Sequence, residues 1–253
     1  MPTGNEPPLW RRTASLLLAL GLVAGLFTFA FASVGYRWNW AGVWVYRRQF
    51  LTGWLVTVVL SVIALTVSTL IGVILALLRR SRFLPLKYLA RIYVEVIRGT
   101  PLLVQLLIFF YVVATAFHLD NRYVVGVLTL SVFSGAYISE VIRAGIESVG
   151  KSQLDSARAI GLTTAQTYRY VIFPQAIRQV LPPLAGQFAS LIKDSSLLSI
   201  IGISEFTLNA QNVSSYTYSN FESYLPLAFG YLILTLPISL WTQSLERRSQ
   251  FET

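Results

Sequence analysis

Long apolar blocks, separated by short polar stretches, run along the whole chain. Five blocks contain no charged residue: Thr13–Val34, Thr52–Leu78, Gly99–Phe117, Tyr123–Ser139 and Ser223–Leu245. A sixth block, Gln179–Ile203, is interrupted only by Lys193 and Asp194. Because a helix needs roughly 17–25 mainly apolar residues to cross a bilayer, the pattern predicts an all-α integral membrane protein. Six spans would leave no room for a sizeable soluble domain.

Composition supports this fold class and narrows the possible functions. Of the 253 residues, 55% are hydrophobic and 12% are charged, whereas a soluble domain carries about 25% charged residues. The chain has no cysteine, which excludes a disulfide framework and a thiolate metal site. A single histidine, His118, leaves no material for a cluster of histidine metal ligands.

The distribution of Lys and Arg predicts the orientation in the membrane. With a cytoplasmic N-terminus and six alternating spans, the inner segments hold 15 of the 20 Lys and Arg residues and the outer segments hold four. Cytoplasmic loops of membrane proteins are enriched in these residues. Both termini are therefore predicted to be cytoplasmic, and the net charge of +9 reflects basic loops rather than nucleic-acid binding.

The first 50 residues are predicted to form a tail, one transmembrane helix and an outer interfacial segment. Ala30-Phe31-Ala32 fits a signal-peptide cleavage site, but the apolar run has 22 residues, longer than the 7–15 of a signal-peptide core. We therefore expect this helix to be retained. Tyr36–Phe50 contains Trp38, Trp40 and Trp44, and tryptophan is enriched at the membrane–water boundary, so a short helix on the outer surface is expected.

The longest polar stretch, Arg143–Arg178, is predicted to hold two short cytoplasmic helices. Ser152-Gln-Leu-Asp155 fits a capping box that would start the first helix, and Gly161 suits its C-terminus. Thr164 is predicted to cap the second helix, which would stop at Pro174. A polar helical pair of this kind, placed between two spans, suits contact with a soluble partner.

Two further polar segments lie towards the end of the sequence. Ser204–Glu222 holds no Lys or Arg and is rich in Ser, Asn and Tyr, which predicts a solvated outer loop. Residues 246–253 are predicted to form a cytoplasmic tail.

One segment, Gly145–Ser152, matches the P-loop pattern G-x-x-x-x-G-K-[ST]. A P-loop must follow a buried strand and open a helix, so that its backbone N–H groups surround phosphate. The preceding residues, Ser139–Arg143, instead form the predicted inner end of a span. We interpret the match as coincidence and expect the chain to bind no cofactor and to hydrolyse no nucleotide itself.

A loop motif in the polar stretch points to a family. It consists of Asp155-Ser156-Ala157, three residues, Gly161, nine residues and then Val171-Ile-Phe-Pro174. This resembles the pattern E-A-A-x3-G-x9-I-x-L-P of ABC importer permeases, with matching spacing and conservative replacements. Glu95–Leu102, Ser134–Ile146 and Lys193–Leu197 are similar to the polar amino-acid group of these permeases, the histidine/glutamine/arginine/opine group with the MetI-like fold.

The resemblance implies a five-helix permease core over residues 51–245, with coupling helices in loop 143–178 and the first helix as an addition. Two permease subunits, identical or related, would form the pathway. Two cytoplasmic ATPase subunits would bind ATP and Mg, and an external binding protein would deliver the amino acid. The chain would be a transport subunit of the bacterial inner membrane, not an enzyme, and Asp155, Ser156, Ala157 and Gly161 would couple it to the ATPase.

Lys193 and Asp194, followed by Ser195, are candidates for the substrate pathway or a gate. The two charges are predicted to lie near the middle of the helical part of the sixth block, after a helix break at Pro182-Pro183. A charge at the centre of a membrane helix costs about 2.5–3.5 kcal/mol on insertion scales, and such residues usually mark a functional site. Neighbouring residues on a helix point about 100° apart, so the two charges do not simply pair with each other. A salt bridge between helices or subunits is the alternative explanation.

Two charge pairs stand at the predicted inner ends of helices. Glu95 with Arg98, and Glu140 with Arg143, are spaced i,i+3. Such pairs are worth a few tenths of a kcal/mol on a helix surface, and lining of a gate is the other possibility.

Two other classes of transporter are also possible from the sequence. A secondary transporter would need intramembrane acidic residues and paired broken helices, and Asp194 is the only central acidic candidate. An ABC permease for another cargo, such as methionine, phosphonate or a metal chelate, would share the loop motif. Gly99-Thr100-Pro101 and Lys193–Leu197 favour amino acids.

Overall fold

The computed structural model describes residues 8–33 and 35–250 and divides into two units, Met1–Trp40 and Ala41–Thr253. The first unit contains α1 (Leu9–Ser33), whose apolar side chains are exposed along its length, as lipid contact requires. Beyond it, Trp38 packs on Phe31 and stacks on Trp40. The predicted tail residues 1–7, Val34 and the last three residues of the predicted C-terminal tail lie outside the described residues.

The rest of the chain is helical wherever regular structure occurs in the described residues. In order, it forms α2 (Trp40–Trp44), α3 (Arg47–Leu78), α4 (Leu84–Gly99), α5 (Leu102–Ile108), a π-helix (Phe109–Val113), α6 (Ala114–Ala116), α7 (Arg122–Glu147), α8 (Lys151–Ala159), α9 (Thr164–Thr167), a second π-helix (Tyr168–Ile172), α10 (Phe173–Asp194), a 3₁₀-helix (Ser195–Ile201), α11 (Phe206–Thr217) and α12 (Asn220–Gln250). The surface helix expected in Tyr36–Phe50 is thus the five-residue α2. Arg47–Phe50 belongs to α3, and residues 246–250 continue α12 instead of forming a tail.

Helices α3 and α7 form the centre of the second unit and pack very closely. A Cβ atom added to Gly72 would lie 2.5 Å from Ile138 Cγ2, and one added to Gly135 would lie 2.6 Å from Ile71 Cγ2. Small residues allow membrane helices to approach in this way, because lipid provides no hydrophobic drive to hold them together. The α3–α7 pair therefore forms the scaffold on which the other helices are arranged.

Four described helices, α1, α3, α7 and α12, are long and apolar enough to cross a membrane. α4 and the run Leu102–Ala116 pass the same test together, with a bend of 111° between them. The bend is held by Gln105, whose Nε2 donates to the backbone oxygens of Ile97 (2.7 Å) and Thr100 (3.1 Å). The predicted sixth block, Gln179–Ile203, contains the end of α10 and the 3₁₀-helix.

The prolines that follow Thr164 do not interrupt the helix, contrary to the prediction. The chain is helical from Thr164 to Asp194, through the second π-helix and past Pro174, Pro182 and Pro183. The π-helix ends just before Pro174, and Gln175 Nε2 donates to Val171 O at 3.1 Å. The predicted stop at Pro174 and the break at Pro182-Pro183 are therefore wrong. Pro174 stands in the first turn of α10, where a missing N–H costs little, whereas Pro182 and Pro183 lie inside the helix.

The predicted solvated loop Ser204–Glu222 is also wrong, because most of it forms α11, packed against α3 and α12. Asn209 is buried and donates from Nδ2 to Gln49 O at 2.9 Å. Ser214 is buried and donates to Asn220 Oδ1. A polar composition that suits a solvated loop also suits a packed helix when its side chains find partners inside the protein.

Candidate coupling segment and transport pathway

The predicted coupling segment contains the expected short helix, but its start differs from the prediction. α8 begins at Lys151 after Gly150, which makes no side-chain capping bond. Ser152–Asp155 is therefore not a capping box, and Asp155 lies in the middle of the helix, 3.5 Å from Arg158 Nη1. The capping box found in this loop is made by Thr163 and Gln166 at the start of α9, one residue before the predicted cap Thr164.

Gly161 ends α8 as predicted. Its φ of +79° lies in the left-handed region that glycine adopts without a Cβ penalty. Its N–H donates to Arg158 O and the N–H of Leu162 donates to Ala157 O, each at 3.0 Å. These two bonds form a Schellman motif, which fixes the direction in which the chain leaves α8.

The four candidate coupling residues do not all face outward. Asp155, Ser156 and Gly161 are exposed, whereas Ala157 is 3% exposed and packs within the chain. Ile160 follows directly and is 76% exposed, which is unusual for an isoleucine in a polar loop. The exposed surface of α8 is therefore built from Asp155, Ser156 and Ile160, and Ala157 is buried beneath it.

The candidate pathway residues lie at the end of α10 rather than near the middle of a helix. Lys193 is exposed and Asp194, the last residue of α10, is half-buried. Neither side chain has a hydrogen bond or ion pair with the described residues. Ser195 is buried and donates to Ile192 O at 2.7 Å. Three successive residues thus point in different directions, and two charges remain available at one helix end.

Ser195 adjoins a buried polar network that sequence reasoning missed. Its hydroxyl interacts with that of Tyr231 on α12, and Tyr231 donates to Glu205 Oε2 at 3.1 Å. Glu205 also accepts from Thr207 N and Leu208 N at 2.9 Å each, and from Thr57 Oγ1 at 3.3 Å. Glu205 therefore caps α11 and links it to α3 and α12.

Glu205 is fully buried. Burial raises the pKa of its carboxyl group above the usual value, and the four donated hydrogen bonds oppose that rise. A lone acidic residue inside a polar stretch carries no periodic signal, which is why sequence reasoning assigned it to a solvated loop. Glu is also not among the residues that usually occupy N-cap positions, so its capping role had no local signal in the sequence.

A second network joins three helices at the end of α7 that leads into α8. Glu140 on α7 accepts from Arg79 of α3 at 2.6 Å and from Arg143 on its own helix. Arg98 of α4 lies 3.8 Å from the same carboxylate, and Arg143 also pairs with Glu147. The predicted Glu140–Arg143 pair thus exists, but it belongs to an inter-helix cluster rather than to an isolated surface pair.

The P-loop-like segment has the context that the sequence predicted. Gly145 and Glu147 belong to α7, and the turn that follows leads into α8 without a strand before it. A Cβ on Gly145 would lie 2.3 Å from Val180 Cγ2, so this glycine serves the close packing of α7 on α10. The absence of nucleotide binding stays a prediction.

Taken together, several apolar spans, charged residues at helix ends and a helical loop built for contact define a membrane-spanning transport subunit. The sequence matches the family described as "binding-protein-dependent transport system inner membrane component" over residues 68–250, and the chain belongs to this family. It is a multi-pass permease subunit of the inner membrane, as predicted.

Individual relatives cover most of the chain. It is 39% identical over 200 residues to the probable glutamine ABC transporter permease protein GlnM of Bacillus subtilis, covering 79% of this chain and 93% of that protein. It is 34% identical over 215 residues to the glutamine transport system permease protein GlnP of Escherichia coli, covering 84% and 98%. The glutamate/aspartate import permease protein GltK of Escherichia coli is 32% identical over 223 residues, covering 85% and 99%.

Solved structures agree with the predicted fold. The structure described as an amino acid ABC transporter with histidines matches with a TM-score of 0.78 and 39% identity, covering 84% of this chain and all of that one. An inward-facing MetNI methionine ABC transporter matches with a TM-score of 0.65 and 15% identity, covering 79% and 96%, which supports the fold alone. The MetI-like permease fold is thereby confirmed.

Proposed function

We propose that this permease carries polar amino acids, with glutamine and glutamate as the first candidates. The observation that carries the proposal is the agreement between relatives named for glutamine or glutamate/aspartate and a 39% identical structure described as an amino acid ABC transporter. The same group of permeases is the one that the motifs around Gly99-Thr100-Pro101 and Lys193–Leu197 resemble.

The proposed assembly contains four kinds of partner. A second permease subunit, either another copy or a related chain, completes the pathway, and two cytoplasmic ATPase subunits bind and hydrolyse ATP with Mg. An external binding protein delivers the amino acid, and the amino acid itself is the fourth partner. No nucleic acid takes part. The membership of a binding-protein-dependent family supports this division of labour.

We place both termini and α8 in the cytoplasm of a bacterial cell. Arg79, Arg143 and Arg158 lie in or next to the α7–α8 region, and cytoplasmic segments are rich in such residues. α8 is then available to a soluble ATPase. Asp155, Ser156 and Gly161 would transmit its movement, with Ala157 as an internal support.

A transport assay tests the cargo. The chain would be purified with its native partners, reconstituted in liposomes with ATP enclosed, and tested for uptake of labelled glutamine, glutamate, histidine, arginine and methionine. We expect ATP-dependent uptake of one or more of the polar amino acids. Uptake of methionine alone, or uptake driven by an ion gradient without an ATPase subunit, would contradict the proposal.

We expect Asp194→Asn to lower ATP-driven uptake severalfold while the complex still assembles. Asp194 makes no hydrogen bond or salt bridge within the described residues and is attracted only by the adjacent Lys193, so its carboxylate can face the pathway. A zwitterionic substrate needs polar groups of this kind to replace its lost water. Uptake and subunit co-purification would be measured together, with Ser196→Ala as the neighbouring control. If the variant fails to assemble but its assembled fraction transports normally, Asp194 is a subunit salt bridge.

A further inference from the structure

A basic cavity lies between the end of α3, α4 and the end of α7, apart from the coupling surface and the residues at 193–195. Its volume is about 430 Å³, within the range of ligand sites. Five cationic side chains line it, contributed by Arg79, Arg80, Lys87, Arg91 and Arg143. Three carboxylates, those of Glu95, Glu140 and Glu147, complete the lining. The cavity therefore carries an excess of two positive charges.

The ion pairs within the cavity show where this excess lies. Arg79 pairs with Glu140, and Arg143 pairs with Glu140 and Glu147. Arg80 donates to Tyr168 Oη at 2.6 Å and packs over its ring. Lys87 and Arg91 of α4 are exposed and have no ion pair with the described residues, and neither has Glu95, which lies one helical turn from Arg91. The excess of two positive charges therefore comes from Arg80 and from α4, where two cations stand against one carboxylate.

Helix α4 carries two adjacent stripes with different chemistry. Lys87 and Arg91 are spaced i,i+4 and share one face. Tyr88, Ile92 and Val96 follow the same spacing on the neighbouring face, and each is more than half exposed. An uncovered apolar stripe beside a basic one, at the end of membrane-spanning helices, fits a molecule with a negatively charged head and a hydrocarbon tail.

We propose that this cavity binds the phosphate headgroup of an anionic phospholipid. The headgroup phosphate would lie between Lys87 and Arg91, and an acyl chain would cover Ile92 and Val96. Basic pockets between membrane helices bind anionic headgroups because surface charge and apolar contact add together there. A free phosphate ion would use the same cations, but it would leave the apolar stripe uncovered, so the structure favours the lipid.

The site is independent of the amino acid carried. It shares no residue with the exposed surface of α8 or with Lys193, Asp194 and Ser195. A failure of the cargo assay would therefore not contradict the lipid site, and a failure of the lipid test would not contradict the proposed cargo.

Native mass spectrometry of the full chain, released from nanodiscs of equal phosphatidylglycerol and phosphatidylcholine content, tests the proposal. We expect the wild-type chain to retain phosphatidylglycerol preferentially. The double variant Lys87→Gln with Arg91→Gln should lose this preference roughly tenfold. Lys87→Arg with Arg91→Lys keeps both charges and should retain it, and Arg48→Gln, which removes an exposed cation near the start of α3, is the matched control.

Three outcomes would overturn the proposal. The double glutamine variant could retain phosphatidylglycerol as well as the wild-type chain does. The charge-preserving variant could lose the preference as fully as the glutamine variant, which would mean that charge is not what binds. Excess inorganic phosphate could displace the lipid completely, which would identify a soluble anion as the ligand.

Discussion

We expect Glu205→Ala to destabilise the protein more than other single substitutions at polar positions. Two backbone N–H groups, Tyr231 and Thr57 donate to this carboxylate. Tyr231 also lies 3.0 Å from Thr207 Oγ1, so alanine would leave the other three donors without this acceptor in a buried site. At about 1 kcal/mol or more for each such group, the loss amounts to about 3 kcal/mol. The thermal unfolding midpoint in detergent should fall clearly.

Two comparisons make this expectation specific. Glu205→Gln keeps one acceptor oxygen but turns an NH₂ group towards a donor, so its unfolding midpoint should lie between those of the wild-type chain and the alanine variant. Glu95→Ala removes an exposed carboxylate with no bond to the described residues and should change the midpoint little. An alanine variant at position 205 as stable as the one at position 95 would show that the network contributes nothing.

The second large effect concerns transport rather than stability. We expect Gly161→Val to reduce ATP-driven uptake at least roughly tenfold while the chain reaches the membrane in normal amount. A β-branched residue is a clear outlier at a positive φ of this kind, so the Schellman motif would open and α8 would change its direction. If α8 carries movement from the ATPase, the exposed surface of Asp155 and Ser156 would then be misplaced.

Gly150→Val is the matched control at the other end of α8. Gly150 has a φ of −60° in an extended conformation, which valine adopts easily, and an added Cβ would meet only Ser152 Oγ at 3.7 Å. This variant should transport normally. Equal transport by the two valine variants, with the same ATPase co-purification, would remove the coupling role of Gly161.

The sequence predicted the fold class and most spans because apolar blocks of bilayer length are hard to explain otherwise. Thr52–Leu78 lies within α3, and Tyr123–Ser139 lies within α7, with helix ends extended by several residues. The extension is physical: Arg47 and Arg122 can begin a membrane helix at its boundary, where charged heads reach water. A search for uncharged blocks therefore gives the centre of each helix and misses its ends.

The prolines and the polar composition of the sequence predicted the helices poorly. Pro174 and Pro182 were expected to break the helix, but a proline costs only what its neighbours fail to compensate, and that depends on tertiary contacts. Glu205 is similar, because its partners Thr57 and Tyr231 lie 148 and 26 residues away in sequence. No local pattern records such distances.

The candidate site was predicted unevenly for the same reason. Gly161 at the end of α8 follows from local rules and is confirmed as a helix terminator, whereas its part in coupling stays a prediction. Ala157 was expected at a contact surface, yet it points into the chain, because α8 is packed through one face that the motif spacing does not reveal. The roles of Lys193, Asp194 and Ser195 stay predictions as well.

The two π-helices bear on how chains of this family differ in length. A π turn closes its hydrogen bonds over one more residue than an α turn, so Phe109–Val113 and Tyr168–Ile172 each accommodate one surplus residue. Loss of that residue would tighten the turn without rotating the faces on either side. Relatives with regular helices at these points should therefore align with single-residue gaps there, marking two places where evolution inserts or deletes a residue inside a helix without disturbing its register.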